Sequence, residues 1–343
     1  MLWNAPHRPE TFIFGAGRDV FRQHRCEFSD CELLVSRWQG LDHLDSFDAI
    51  VFNIIDDYWT VKLPKPHERK PTQRYVFFTQ ESPSALKNYD DVVYKAQFNW
   101  TMTYRKNADI PLLYGRITPK MVEPLSWAKN STTLLMKTHH RNFTANKTKL
   151  VAWMVSKCVT HSKREDYVKK LRKYVNVDVY GKCGKLRCSQ HDLISSHPKC
   201  YDMLESNYKF YLSFENSICL DYVTEKFFNI ISRNIVPVVY GGADYGQIAP
   251  PHSYIDARKF EPKQLAEYLK MLDANDTLYN EYFWWKDYYT VEAGIGQMAR
   301  HGFCNLCKKL HEDQHNKSYR RRTLHLQWAT RLACPQQMQG LLN

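Results

Sequence analysis

Between Glu215 and Lys226 the chain gathers Glu215, Asn216, Asp221, Tyr222, Thr224, Glu225 and Lys226. Such a set can accept hydrogen bonds from sugar hydroxyls and neutralise a phosphate. The elements that must position it are legible on either side. Phe210, Tyr211, Leu212 and Phe214 form an apolar run that reads as a buried strand. Phe227, Ile230 and Ile231 follow at helical spacing, and Val236–Tyr240 is a second apolar run stopped by Gly241-Gly242. The unit is strand, loop, helix, strand, with its polar groups after the first strand and at the helix start. Open α/β sheets bind ligands there, where backbone N–H groups favour an anion. A Lys in the first helical turn opposes the helix dipole, and a bound phosphate would give it a purpose. A purely structural α/β unit would show the same pattern of strands and helix.

The residues themselves narrow the reading. FENSICLDYVTEK, followed by VPVVYG, resembles the donor-site motif of glycosyltransferase family 10, the α-1,3/1,4-fucosyltransferases, with no gap from Asn216 through Tyr222 to Glu225-Lys226. The resemblance spans about Trp3 to Lys309. It implies an α/β, GT-B-like fold with two Rossmann-like domains facing a central cleft. It also implies inverting transfer of L-fucose from GDP-β-L-fucose to GlcNAc of a glycoprotein N-glycan. Cys158, Cys183 and Cys219 resemble the pattern of members acting on the core GlcNAc. Lewis-type antennal or protein-directed transfer, and a catalytically silent glycan- or nucleotide-binding relative, are the alternatives.

By the same resemblance, Asn216 and Tyr222 line the donor pocket, Glu225 accepts from the ribose hydroxyls and Lys226 neutralises the diphosphate. Val155-Ser156-Lys157-Cys158 with Arg164 is similar to the family's VSN…R segment, which assigns Ser156 and Arg164 to the donor as well. Lys157 stands where the family has Asn. Gln73–Pro83, QRYVFFTQESP, resembles the acceptor-side motif, in which the Glu81 equivalent is the general base. A sugar hydroxyl needs such a base as it attacks the anomeric carbon. FNWTMTYRKNAD resembles another family segment, in which Asn107-Ala108 replace Asp-Ser while Tyr104, Arg105 and Asp109 remain. No Asp-x-Asp pair stands in a metal-binding context, so GDP-fucose is the expected donor and no divalent metal is expected to be essential.

Cys304-Asn-Leu-Cys307 has CxxC spacing but no second ligand pair to make a zinc site. The resemblance implies that it bridges back to Cys26 and Cys31, and Cys158 with Cys219 is the further bridge expected. The partners of Cys183, Cys188, Cys200 and Cys334 stay open. Ten cysteines favour an oxidising compartment, as do sequons at Asn99, Asn130, Asn142, Asn146, Asn275 and Asn316. No apolar run approaches the ~20 residues that span a bilayer. Family members are type II Golgi membrane proteins, so the expected setting is the Golgi membrane through an N-terminal anchor not present here, or a secreted catalytic domain.

The net charge is +12, with basic density at Lys163-Arg164, Lys169–Lys173 and Arg320–Arg322. No nucleic-acid-binding signature accompanies it, so nucleic acid is not an expected partner and a phosphate donor is. Further strands are expected at Ala49–Ile55, Arg74–Thr79, Lys149–Val155 and Val175–Tyr180, with helices at Ser162–Tyr174 and Gln264–Leu272. The expected division is an acceptor-side domain over 1–145, a GDP-fucose-binding domain over 146–310 and a basic tail over 311–343.

Overall fold

The computed structural model describes residues 1–3, 13–36, 43–54, 69–85, 98–120, 141–188, 198–312 and 333–334. The chain forms two compact units, the first built from Met1–Tyr114 and the segment starting at Gly294, the second from Gly115–Ala293.

The first unit carries strands β1 (Leu2–Trp3), β2 (Leu34–Val35), β3 (Ala49–Asn53), β4 (Arg74–Thr79), β5 (Trp100–Thr103) and β6 (Ile110–Pro111), and helix α1 (Asp19–Gln23). The strands make one six-stranded sheet, ordered β2-β1-β3-β4-β5-β6, with every pair parallel. β3 and β4 are buried along their whole length. That is why they read as unbroken apolar runs rather than as alternating strands.

The second unit contains β7 (Gly115–Pro119), β8 (Lys149–Met154), β9 (Val177–Tyr180), β10 (Tyr208–Phe214), β11 (Val236–Tyr240), β12 (Ile255–Asp256) and β13 (Tyr289–Ala293). Its helices are α2 (Arg164–Leu171), α3 (Pro198–Asn207), α4 (Glu225–Ile231), α5 (Pro262–Asp273) and α6 (Asp276–Asn280). A five-stranded parallel sheet runs β12-β11-β10-β8-β9, while β7 and β13 pair antiparallel on their own. β10 is its central strand and is wholly buried. Tyr167, Val168 and Leu171 of α2 and Leu265, Leu269 and Leu272 of α5 join Phe210, Phe214 and Val238 in one core. Pro262 opens α5, and the Gln264 carboxamide accepts from the Glu261 N–H at 3.0 Å, satisfying one of the orphan groups of that helix end.

The last helix, α7 (Ile295–Glu312), belongs to the first unit, where Met298, Ala299, Phe303 and Leu306 pack with Trp3, Val51, Val76 and Met102. Gly302 permits the contact, since a Cβ there would lie 2.4 Å from Leu112 Cδ1 and 2.5 Å from Met102 Cε. The compact units divide at 114/115 and 293/294, beside the division expected from the sequence at 145/146 and 310/311. The β7–β13 ladder, Gly115 opposite Ala293, draws both segments into the second unit. His311 and Glu312 end α7, and residues 313–332 of the expected tail lie outside the described set.

Cys26 is bonded to Cys304 and Cys31 to Cys307, stapling α7 to the N-terminal segment of its own unit. Cys158 is bonded to Cys183, correcting the expected pairing with Cys219. Neighbouring strands β8 and β9 end side by side and present those two cysteines to each other. Cys188 pairs with Cys200, and Cys219 and Cys334 are each in a disulfide.

The sequon at Asn99 is corrected by burial. Its side chain is inside the fold, and its Oδ1 accepts from the Tyr75 N–H at 2.8 Å, which leaves no room for a glycan. Asn142, Asn146 and Asn275 are exposed, while Asn130 and Asn316 lie outside the described residues. Among the described residues no helix is long and apolar enough to cross a membrane.

Candidate functional site

The chemistry in the second unit is built where β10 ends. Glu215, the first residue beyond the strand, has no solvent exposure. Its Oε1 accepts from the Thr224 N–H at 2.9 Å and from Thr224 Oγ1 at 3.0 Å, and its Oε2 lies 3.4 Å from Lys226 Nζ. Thr224 caps α4 by accepting from the Lys226 N–H, so one hydroxyl serves both the helix end and the carboxylate. Lys226 Nζ donates to Thr224 Oγ1 at 2.8 Å and to Glu225 Oε1 at 2.9 Å. Ser213 Oγ donates to the Lys226 carbonyl at 2.7 Å and ties the helix to the strand.

Burial pushes the Glu215 carboxyl up, and neighbouring Glu225 adds to the rise against Lys226. Burial would also lower Lys226, but Glu225 and Glu215 outweigh it and raise the ammonium above its ordinary range. The Glu225 carboxyl, raised by burial, is carried below its ordinary value by Lys226.

Arg164 comes from the first turn of α2 and is buried. Its Nη1 donates to the Phe214 carbonyl at the end of β10, and its guanidinium lies 5.6 Å from the centroid of the Trp153 ring. Burial lowers its pKa, with Glu215 opposing, but a guanidinium stays charged over any working pH. Ser162 fixes the approach of α2, its N–H donating to the Asn216 carbonyl at 3.1 Å and its Oγ to the Glu215 carbonyl at 2.7 Å.

Three buried polar atoms in these segments have no hydrogen-bond partner among the described residues: Arg164 Nε, Asn216 Oδ1 and Tyr245 Oη. Buried polar groups are otherwise paired, so orphans at a strand end mark a place for a ligand or water. Tyr222 is buried and acts on Arg164 electrostatically. Ser156 and Lys157 are exposed in the loop after β8. Gly181 makes room for that loop, because a Cβ on it would lie 2.6 Å from the Val155 carbonyl oxygen and 3.4 Å from Ser156 Oγ.

Arg164, Asn216 and Lys226 are therefore brought to one strand end, with Glu225 on the Lys226 ammonium. The set can hold a diphosphate between a guanidinium and an ammonium. The sequence places Glu215 and Thr224 in the polar cluster but gives neither a role of its own. The signal available was a carboxylate directly after a fully apolar strand, a position where burial demands partners.

In the first unit, Glu81 follows β4, half-buried, with its N–H donating to Thr79 Oγ1 at 3.2 Å. Tyr114 Oη donates to the Gln80 carbonyl at 2.9 Å and holds that loop. Asp109 Oδ2 accepts from the N–H and Oγ1 of Thr101 at 2.9 and 3.0 Å, so it fastens a turn, and Tyr104 and Arg105 are buried. Among the described residues, one group of side chains has metal-ligand proximity, Cys31, Cys307 and His311, and its two sulfurs are bonded to each other.

Residues 144–325 match the model for glycosyltransferase family 10 (fucosyltransferase) C-term, and residues 1–115 match fucosyltransferase, N-terminal. The chain is 38% identical over 298 residues to alpha-(1,3)-fucosyltransferase C of Drosophila melanogaster, covering 84% of this chain and 66% of that protein. It is 37% identical over 303 residues to glycoprotein 3-alpha-L-fucosyltransferase A of the same organism, covering 87% and 54%. The chain thus spans between about half and two thirds of the length of these relatives. A crystal structure of an alpha1,3-fucosyltransferase aligns over 92% of this chain and 90% of its own, with TM-score 0.52 at 14% identity, a likeness of fold.

Proposed function

This chain belongs to glycosyltransferase family 10, the fucosyltransferases, and from that premise we propose that it is an inverting α-1,3-fucosyltransferase. It moves L-fucose from GDP-β-L-fucose to GlcNAc of glycoprotein N-glycans, with the core GlcNAc as acceptor. The observation that carries this reading is the strand end where Arg164 and Lys226 meet with two unpartnered polar atoms, Arg164 Nε and Asn216 Oδ1. The name of the 37% identical fly relative, a glycoprotein 3-α-L-fucosyltransferase, supports a glycoprotein acceptor.

In this reading Ser156, Arg164, Asn216, Tyr222, Glu225 and Lys226 bind the donor. The acceptor hydroxyl gives its proton to Glu81 as its oxygen attacks the anomeric carbon. The bond to GDP breaks on the opposite face, so a β-linked fucose becomes α-linked. Arg164 and Lys226 stabilise the charge that develops on the departing diphosphate, the electrostatic part of the catalysis, and no divalent cation is required. The disulfides support work in an oxidising lumen, which we take to be the Golgi.

The test is transfer itself. Purified protein is given GDP-fucose with a core-type N-glycan and with N-acetyllactosamine, each with and without EDTA. Fucose on the core GlcNAc in the presence of EDTA is the expected result. Transfer to the antennal acceptor alone would correct the substrate, and no transfer to either would overturn the reading.

A further inference from the structure

Lys226 does not wait for a ligand as a free cation. Its ammonium donates to Thr224 Oγ1 at 2.8 Å, and the same hydroxyl lies 2.9 Å from Glu215 Oε2, which is itself 3.4 Å from the ammonium. Ammonium, hydroxyl and carboxylate close a triangle. Glu225 Oε1 holds the other side at 2.9 Å. One positive charge therefore sits between two negative ones, and the Glu215 carboxylate is wholly buried while Glu225 is 38% exposed.

Glu215 is also closely flanked by main chain. A Cβ on Gly241 would lie 3.3 Å from Glu215 Cγ and 2.6 Å from Tyr245 Oη, so Gly241 lies close beside the Glu215 side chain and beside the buried phenol. Charged and titratable groups facing Glu215 are Lys226 and Glu225 on α4, Arg164 on α2 and Tyr245 after β11. A diphosphate drawn to Lys226 and Arg164 must approach a fixed negative charge that it cannot displace.

We propose that Glu215 is an internal competitor for Lys226, a positioning residue that loosens the grip on the nucleoside diphosphate and so speeds release of GDP after transfer. The inference rests on the donor reading above. Two like charges some 6 Å apart in a protein interior repel enough to change a binding constant tenfold or more, and Glu215→Gln removes that repulsion while keeping the acceptor for Thr224.

The experiment is calorimetric titration of the full chain with GDP and with guanosine, for wild type, Glu215→Gln and Lys226→Ala, together with steady-state kinetics. Glu215→Gln is expected to bind GDP about tenfold more tightly and guanosine unchanged. KM for GDP-fucose and kcat should fall together, with stronger inhibition by GDP. Unchanged or weaker GDP binding in Glu215→Gln would overturn the competitor role. Unchanged GDP binding in Lys226→Ala would instead overturn the donor reading on which it rests. Should Glu215→Gln fail to fold, Glu215→Asp decides, because the shorter side chain draws the carboxylate back from Lys226 Nζ, which lies 3.4 Å away in the wild type. Glu215→Asp is then expected to bind GDP more tightly with guanosine unchanged, and unchanged or weaker GDP binding would overturn the proposal.

Discussion

The guanidinium of Arg164 lies over the indole of Trp153, 5.6 Å from the ring centroid, while its Nη1 donates to the Phe214 carbonyl. Strand β8 supplies the ring and strand β10 the carbonyl, so two neighbouring strands fix one side chain from α2. Lys cannot reproduce a planar group that stacks, anchors and still offers a donor. Arg164→Lys should therefore weaken GDP binding by roughly 10–100-fold. Guanosine binding should change little, which titration calorimetry of both ligands would check.

The Cys158–Cys183 bond joins the loop after β8, which carries Ser156, to the segment after β9. It closes a loop of 25 residues, for which the chain-entropy model gives about 3.5 kcal/mol. Replacing both cysteines by Ser should lower stability by that order in a denaturant titration. It should also weaken GDP-fucose binding, because the Ser156 loop is no longer fastened. A variant as stable as wild type would show that neighbouring packing, not the bridge, holds the loop.

Gly242 lies against main chain, not against a side chain that can yield. A Cβ there would sit 2.6 Å from both the N and the O of Cys219. Gly242→Ala should cost about 1–3 kcal/mol, read as a lowered Tm, with donor binding reduced in step. Gly17→Ala, where a Cβ meets nothing within 4 Å but φ is +92°, separates strain from collision and should cost less.

How much of this was legible in the sequence depends on how local each feature is. Val236–Tyr240 and Arg74–Thr79 are strands over those very residues, because a strand buried on both faces shows itself as an apolar run between turn residues. The polar stretch after β10 was visible for the same reason. Helix α2 is shorter than the Ser162–Tyr174 expected, because Ser162 leaves the helical pattern to bond to the backbone at Glu215 and Asn216. How the chain divides into compact units at 114/115 and 293/294 was not legible. β7 and β13 find each other from Gly115 to Ala293, which leaves no mark in composition, whereas the return of α7 to the first unit agrees with the bridges from Cys304 and Cys307 to Cys26 and Cys31 that the resemblance implies. Cys183 as the partner of Cys158 follows from the β8–β9 pairing, which sequence spacing does not reveal. The importance of Glu215 is likewise a matter of what surrounds it, since spacing alone places Glu225, not Glu215, beside Lys226.

His252 gives the fold a pH dependence of known sign. Burial holds its imidazole near a pKa of about 4, stacked 4.0 Å from Tyr282, and Glu281 at 3.8 Å is too far to accept a hydrogen bond that would counter this. In the unfolded chain the value is about 6.5, so between there and about 4 the unfolded state binds more protons. Stability therefore falls as pH drops through that window and is unaffected by this group above it. His252→Gln should flatten the difference by about 1–3 kcal/mol between pH 7 and pH 4, compared with wild type by denaturant titration at each pH. Equal slopes for the two proteins would show that His252 protonates without penalty.

The central claim is that Glu81 removes the proton from an acceptor hydroxyl as fucose passes from GDP with inversion. The most direct measurement compares wild type with Glu81→Gln, following fucosylated product and GDP together and reading the new linkage by NMR. The account predicts an α1,3-linked product from wild type and a loss of roughly 10²–10⁴ in kcat for Glu81→Gln, with GDP binding intact. Full activity in the variant, or a β-linked product, would contradict it.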